Sequence, residues 1–290
     1  MKTTDTLIED IYDKLKPLTE EKPLAISDEE IDLFGEEIKK VFKSWAHPEP
    51  RNVGFSLRMS NIGKPVRQLW FDKHHPADNH ITPSTFIKFL YGHMLEEVIL
   101  VLARLSGHEV TDEQKEVKVD GIVGHMDCKI DGQVVDVKTA SSFAYGKFAK
   151  GTLADDDPFG YLAQLAGYEA AENTEEGSFL VINKETGALC LHTPEDLDKP
   201  NIRAKIRDIK IALESLDPPE ELCYPVVNEG AKGNQRLHKN CNYCPHKFKC
   251  FKDSNNGKGL RTFQYAKGLT HFTKVIATPK VEELYHDLGI

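Results

Sequence analysis

The strongest constraint on the fold is the dipeptide Asp131-Gly132, which stands between two runs of alternating residues. Asp-Gly in that setting is the strongest short-range signal of a β-hairpin closed by a two-residue turn. Such a turn places Asp127 directly opposite Asp136, with Cβ atoms about 5 Å apart. A bulge or a longer turn would break this alignment.

One face of the second strand is predicted to carry the chemistry. Lys138 follows Asp136 by two residues and projects from the same face, whereas Val135 and Val137 point into the core. Opposed carboxylates destabilise a sheet unless a cation bridges them, and hard oxygen ligands suit Mg²⁺ or Mn²⁺. Asp-x-Lys also occurs on solvent-facing strands, but the predicted partnership with Asp127 favours a functional interpretation.

The remaining patterns predict an α/β chain. Helices are expected over 5–15, 27–45, 82–106, 158–172 and 200–215, strands over 115–138, and a second hairpin over 178–183 and 188–193. We predict an N-terminal helical region over 1–54, a core over 55–218, and a cysteine-rich basic module and tail over 219–290.

Three motifs in this order resemble the RecB-like exonuclease branch of the PD-(D/E)XK nuclease superfamily. They are Gly124-x-x-Asp127, Asp136-x-Lys138 and Gln164-x-x-x-Tyr168. The resemblance implies a restriction-endonuclease-like core, in which helices flank a central mixed sheet. Gln164 and Tyr168 share one helix face because they are four residues apart. The resemblance implies that this face borders the active site and helps hold the lysine and the DNA strand.

The same branch carries an acidic residue or a histidine four residues after a glycine, and Glu96 stands at that spacing from Gly92. A glutamate there resembles the bacteriophage lambda exonuclease type. The resemblance implies that Glu96, Asp127, Asp136 and the carbonyl of Val137 hold the metal. Glu97 is the neighbour most easily confused with Glu96. His93 lies off the family spacing and is interpreted as a surface or packing histidine.

A C-x2-C-x5-C pattern follows near the C-terminal end, and a fourth cysteine lies eighteen residues upstream of it. Thiolates this close suit a soft metal or an iron–sulfur cluster. RecB-like nucleases of the AddB type resemble this pattern and bind an iron–sulfur cluster, but their fourth cysteine stands where this chain has Pro65. We therefore predict a local iron–sulfur site, with zinc as the alternative and a metal-free cluster as a third reading. The predicted ligands are Cys223, Cys241, Cys244 and Cys250, with His238 and His246 as substitutes, while Cys128 and Cys190 are assigned to the core.

The charge distribution is uneven, and one segment is strongly basic. The chain has a formal net charge of −9, yet residues 232–274 contain ten Lys or Arg and one acidic residue. Aromatic residues interleave with these charges, which suits nucleic acid because charges meet phosphates and rings stack on bases. The alternative is a solvated basic face that balances the negative charge of the rest of the chain.

Together these features predict a Mg²⁺- or Mn²⁺-dependent DNA exonuclease acting on linear ends, in which Lys138 orients or deprotonates water or neutralises the phosphate. The alternatives are a structure-specific endonuclease, a catalytically silent DNA-binding or end-holding module, and a zinc-stabilised scaffold. The resemblance to phage exonucleases implies recombination, repair or DNA degradation, a single-strand-annealing or single-strand-binding partner, and residence in the host cytoplasm. It leaves a homo-oligomer open. Neither a membrane span nor a secretory signal is expected.

Overall fold

The computed structural model describes residues 2–48, 54–76 and 81–284. Its α-helices are α1 (Leu7–Thr19), α2 (Asp28–Ala46), α3 (Val66–His74), α4 (Pro83–Leu105), α5 (Ser142–Ala149), α6 (Tyr161–Glu172), α7 (Ile202–Leu213), and the single turns α8 (Lys247–Cys250) and α9 (Ser254–Gly257). Its strands are β1 (Val110–Thr111), β2 (Lys115–Val119), β3 (Ile122–Met126), β4 (Cys128–Ile130), β5 (Gln133–Ala140), β6 (Ser178–Asn183), β7 (Leu189–His192), β8 (Val227–Glu229), β9 (Asn234–Arg236), β10 (Arg261–Tyr265), β11 (Gly268–Lys274) and β12 (Glu283–Leu284). Short 3-10 turns lie at Thr4–Thr6, Leu153–Asp155, Asp196–Asp198 and Lys239–Cys241. Within the described ranges, none of the helices has the length and apolar character that crossing a membrane requires.

The chain divides into two compact units. The first unit comprises residues 1–63 and 80–208, and the second comprises 64–79 and 209–290. Helix α3 therefore belongs to the same unit as the C-terminal segment, although it precedes most of the first unit in the sequence.

A five-stranded sheet in the order β1-β4-β5-β6-β7 forms the centre of the first unit. The sheet is mixed, because β5 and β6 run parallel while the other neighbours are antiparallel. The β4–β5 hairpin has the predicted register, with Cys128 opposite Val135 and Ile130 opposite Gln133. Asp131 and Gly132 have φ values of 50° and 86°, the left-handed conformation that a type I′ turn requires at both central positions.

Helices cover both faces of this sheet. Val135 and Val137 belong to a buried cluster with residues of α1 and α4, as predicted for that face. The opposite face bears Asp136 and Lys138 and lies against α6, since the Lys138 ammonium contacts the α6 residue Gln164. A mixed sheet flanked by helices is thus confirmed.

The helix boundaries follow the local capping chemistry. Ser27 and Glu30 form a reciprocal capping box at the start of α2, where the sequence predicted a helix start. Helix α6 begins at Tyr161, three residues later than predicted, because the Asp157 carboxylate accepts hydrogen bonds from the backbone N–H groups that open the helix. The donors are Gly160, Tyr161 and Leu162, at 2.9 to 3.0 Å.

An antiparallel sheet in the order β12-β10-β11-β9-β8 organises the second unit. Phe263 and Phe272 are fully buried in it and meet edge to face, with ring centroids 5.4 Å apart. Trp70 of α3 donates a 2.9 Å hydrogen bond to the carbonyl of Ser215, which ties α3 to the chain after α7. The sequence indicated only a Gly-, Asn- and Cys-rich module here, because β8, β9 and β12 are too short to show an alternating pattern.

Two glycines meet backbone to backbone beside the start of α6. A Cβ atom added to Gly63 would lie 2.2 Å from the Cα of Gly160, and Gly160 itself has a φ of +74°. Only glycine allows two chains to approach this closely. The contact fixes the turn that carries Asp157 and Phe159.

Gly63→Ala is expected to lower the free energy of unfolding by about 3 kcal/mol, since the methyl group meets rigid backbone rather than a movable side chain. Gly35→Ala is the matched control, because its added methyl group meets nothing within 4 Å in α2. That control should raise stability by about 0.5–1 kcal/mol through helix propensity. Urea denaturation of both variants measures the contrast, and equal stability of the Gly63 variant and the wild type would contradict the close contact.

Candidate active site

The hairpin brings Asp127 alongside β5, as its register predicts. Asp127 lies between β3 and β4, where the chain leaves a two-stranded ribbon and enters the central sheet. Its Oδ2 accepts a 2.7 Å hydrogen bond from the backbone N–H of Val137. This contact holds the carboxylate beside Asp136 and Lys138, the two neighbours of Val137 along the strand.

Asp136 is the most deeply placed of the predicted site residues, with none of its surface exposed. The Lys138 ammonium lies 2.5 Å from Oδ2 and forms an ion pair there. Among the described residues, none donates a hydrogen bond to the other carboxylate oxygen, Oδ1. Burial raises the pKa of Asp136, while the charge of Lys138 opposes that rise. A buried carboxylate oxygen without a hydrogen-bond partner is suited to bind a cation.

Lys138 is held between acidic and aromatic partners. Its Nζ lies 3.3 Å from Oε1 of Gln164 and 4.8 Å from the centre of the Tyr161 ring. Burial alone would lower the pKa of Lys138, but the charges of Asp136 and Asp127 outweigh it and raise that pKa above its usual value. The side chain is therefore a fixed ammonium at neutral pH.

Glu96 of α4 faces the same carboxylates. Burial, followed by the charges of Glu97 and Asp136, raises the pKa of Glu96 to about 7. The amide of Gln114 donates a 2.8 Å hydrogen bond to its Oε1 and orients the carboxyl group. Burial, followed by Asp136 and Glu96, raises the pKa of Asp127 well above its usual range. These mutual effects show that the three predicted carboxylates lie together.

Glu97 and His93 are not part of this group of carboxylates. Burial raises the pKa of Glu97, and the next contributors are Glu113 and Glu37 rather than the hairpin aspartates. The exposed His93 lies with Glu97 along a cleft between α2 and α4. Glu96 lines this cleft as well, but of the two adjacent glutamates only Glu96 also interacts with the hairpin aspartates.

Gln164 and Tyr168 lie on the face of α6 that borders the site. Gln164 Nε2 donates a 2.9 Å hydrogen bond to the Tyr168 hydroxyl, which in turn donates 2.7 Å to the carbonyl of His125. Burial raises the pKa of Tyr168, so its hydroxyl stays a donor. This chain of hydrogen bonds links Lys138 to the strand that precedes Asp127.

Two residues of the site were absent from the sequence prediction. Tyr161 supports the lysine through its ring, and its place one helical turn before Gln164 was a usable signal. Gln114 reaches Glu96 from a loop, and nothing in the sequence marked it.

The donor set fits a hard divalent cation. Mg²⁺ is held in proteins by one or two carboxylates, with waters and substrate phosphates completing its shell. Asp127, Asp136 and Glu96 supply such carboxylates, and the buried, unsatisfied Oδ1 of Asp136 is the observation that favours a cation. In the described part of the chain, no three His, Cys, Asp or Glu side chains are arranged as a ready-made metal site. Substrate phosphate and water would therefore have to contribute ligands.

The second unit brings the four predicted cysteine ligands around one small cavity of about 20 Å³, lined by Cys223, Cys241, Cys244 and Cys250. Burial, followed by neighbouring thiols, raises the pKa of Cys223 to about 11 and that of Cys241 to about 12. Gln68 of α3 lines the same cavity, and Arg67 Nε lies 3.2 Å from the Cys250 sulfur. Arg67 thus contacts this group of thiols. These thiols, too, form no ready-made metal site within the described ranges.

The substitute ligands are engaged elsewhere. His246 is buried, lies 2.7 Å from the Asp72 carboxylate and stacks on Phe71. His238 stacks on Tyr224, with ring centroids 5.0 Å apart. Neither is needed to explain the cluster of thiols.

Comparisons with known proteins add little to this picture. No family model matches the chain, and no curated protein matches it. Similar solved structures include SSO0001, at 16% identity and a TM-score of 0.39 over 74% of this chain and 94% of that chain. Another is the alkaline exonuclease LHK-Exo from Laribacter hongkongensis, at 14% identity and a TM-score of 0.34 over 53% of this chain and 89% of that chain. Its complex with dAMP gives 12% identity and a TM-score of 0.33 over 54% and 92%. TM-scores this low establish neither a shared fold nor a shared activity.

The cluster of carboxylates predicts an unusual dependence of stability on pH. A carboxyl group whose pKa is higher in the folded than in the unfolded state binds protons more tightly when folded. Without divalent ions, the free energy of unfolding should therefore fall as pH rises from 4.5, the ordinary pKa of Glu96, to about 7. Denaturant titrations in EDTA at several pH values measure this decline.

Asp127→Asn should flatten that decline, because the amide is neutral and can still accept the hydrogen bond from Val137. The control is Glu116→Gln, whose carboxyl side chain is 70% exposed and should leave the pH dependence unchanged. A decline of the same size in the Asp127 variant would show that the cluster does not cause it.

Proposed function

We propose that this protein is a metal-dependent deoxyribonuclease that hydrolyses phosphodiester bonds, and that it acts as an exonuclease on the ends of linear DNA. The observation that carries the proposal is the buried Asp136, with one unsatisfied oxygen and the Lys138 ammonium on the other, flanked by Asp127 and Glu96. Clustered carboxylates beside one fixed ammonium suit a phosphate held through a divalent cation. The order of the motifs, which resembles RecB-like exonucleases, supports action at ends.

In this proposal Asp127, Asp136, Glu96 and the Val137 carbonyl hold Mg²⁺ or Mn²⁺. When bound, the ion supplies charge stabilisation at the scissile phosphate and lowers the pKa of a coordinated water. Lys138 contributes as a cation that donates to phosphate oxygens, since its ammonium is held at the carboxylates by the ion pair with Asp136. Gln164 and Tyr168 keep the ammonium in place.

The test is cleavage of end-labelled linear DNA and of closed circular DNA, with Mg²⁺ or with EDTA, by the wild type and Asp136→Asn. We expect metal-dependent loss of linear DNA and no cutting of circles. The cleavage rate of the variant should be at least about 1000-fold lower than that of the wild type. Cutting of circles would replace the exonuclease with an endonuclease. Absence of cleavage by folded protein containing its metals would instead favour a DNA-binding or end-holding module.

The adjacent glutamates of α4 give a matched pair of variants. Glu96→Gln should lower the cleavage rate by about 100-fold or more, because it removes one carboxylate that faces Asp127 and Asp136. Glu97→Gln should cost less than tenfold, since that side chain faces other acids. Cleavage rates at saturating Mg²⁺ measure the difference. Equal losses in the two variants would contradict a role for Glu96 in holding the metal.

We further propose that the four cysteines hold an iron–sulfur cluster, with zinc as the alternative. The support is that four thiols line one cavity, where burial and neighbouring thiols raise the pKa of Cys223 and of Cys241, an effect that a bound cation reverses. The cluster would fix a basic, aromatic module. Basic charge within residues 232–274 then lies on a unit that the metal stabilises.

Cys244→Ser should remove the bound metal and lower the unfolding temperature of the second unit. Metal analysis and visible absorbance after anaerobic purification measure the first effect, and Cys190→Ser, in β7 of the first unit, is the control. A brown wild type identifies iron–sulfur, whereas a colourless protein with one zinc per chain identifies zinc. Wild-type protein that retains neither metal would overturn the proposal.

A further inference from the structure

Two phenylalanines of the first unit are largely in solvent. Phe159 is 65% exposed and Phe143 is 75% exposed. Single exposed apolar residues are common on proteins, but these two belong to the segments that border Lys138. Phe143 lies in the first turn of α5, directly after β5, and Phe159 lies two residues before Tyr161.

The turn that carries Phe159 is rigid. The Asp157 carboxylate accepts three backbone N–H groups there, from Gly160, Tyr161 and Leu162. Gly160 has a φ of +74° and lies backbone to backbone against Gly63. The ring of Phe159 is thus displayed by a fixed backbone, and loop flexibility does not account for its exposure.

A continuous stack joins Phe159 to the lysine of the site. The rings of Phe159 and Tyr161 are stacked, with centroids 5.4 Å apart and planes at 25°. The Lys138 ammonium lies 4.8 Å from the centre of the Tyr161 ring. Tyr161 is in turn held by Phe148 and Phe179, at centroid distances of 6.1 and 6.4 Å. A group stacked on Phe159 therefore has a defined position relative to Lys138.

A second ammonium lies over the ring of Phe143 and pairs with Asp156, which precedes the turn of Phe159. Lys147 Nζ lies 5.4 Å from the centre of the Phe143 ring and 2.8 Å from the Asp156 carboxylate. It also donates a 2.6 Å hydrogen bond to the carbonyl of Asp156. Helix α5 is thereby tied to the residue directly before the rigid turn, so both phenylalanines are anchored to the same small region.

We propose that Phe159 and Phe143 form a stacking platform for the unpaired bases of a single DNA strand whose phosphate lies at Lys138. Alternating rings and ammonium groups match such a strand, because rings stack on base faces while cations meet phosphates. A duplex hides its base faces, so the platform selects single-stranded or frayed ends. The inference rests on the proposed nuclease function and names the form of its substrate.

The test is equilibrium binding, in EDTA, of a single-stranded oligonucleotide that contains the fluorescent base 2-aminopurine, and of a blunt duplex of the same sequence. Phe159→Ala should weaken single-strand binding about tenfold and relieve the quenching of 2-aminopurine, and Phe143→Ala should act in the same direction. Duplex binding should change less than twofold. Leu197→Ala is the control, since Leu197 is 95% exposed on the same unit but lies in a separate 3-10 turn.

A substrate that lacks bases separates stacking from a structural role. An oligonucleotide with abasic residues at its end should bind the wild type as weakly as the normal strand binds Phe159→Ala, and the variant should not distinguish the two strands. Equal single-strand affinity of variant and wild type, or equal losses for single strand and duplex, would overturn the platform.

Cleavage assays keep this failure distinct from failure of the proposed function. Wild-type protein that hydrolyses DNA while binding ignores Phe159→Ala rejects the platform alone. If the wild type hydrolyses no DNA but Phe159→Ala still weakens single-strand binding, the nuclease proposal is rejected and the platform is supported. Binding of a peptide in place of DNA, if it is lost in Phe159→Ala, would contradict both the platform and the nuclease proposal.

Discussion

The buried ion pair between Asp136 and Lys138 organises the first unit. Both side chains arise from one face of β5, so the strand that builds the centre of the sheet also places a charge pair inside it. Such a pair is costly to bury and gives little net stability. Neighbouring elements provide contacts around the pair. A backbone N–H donates to Asp127, while Gln164 and the Tyr161 ring contact the Lys138 ammonium. The arrangement makes sense as a site, because an apolar pair would pack this position at lower cost.

The sequence predicted the parts of the fold that local chemistry determines. Asp131-Gly132 fixed the hairpin register, since a two-residue turn leaves one alignment for Asp127 and Asp136. Ser27 and Pro83 marked helix starts for equally local reasons. Contacts between residues far apart in the chain could not be predicted from local patterns. Gln114 reaches Glu96 from a loop eighteen residues away, and β8, β9 and β12 of the second unit are too short for periodicity to reveal.

Helix α3 packs in the second unit although it precedes most of the first unit in the sequence, so its contacts there cannot be predicted from sequence. Arg67 and Gln68 lie far from the cysteines along the chain, yet they reach the thiol cavity of the second unit. Pro65 is the N-cap of this same helix. The helix therefore lies beside the four thiols, although it is far from them in sequence.

The elevated pKa of Glu96, about 7, has a consequence for how the site exchanges ions. Near neutrality the empty cluster shares its oxygens with protons, so a divalent cation must displace them to enter. Metal uptake then becomes a competition with hydrogen ions, and each binding event acidifies the surrounding medium. In the proposed nuclease, occupancy of the site by magnesium would therefore fall as the surroundings become more acidic.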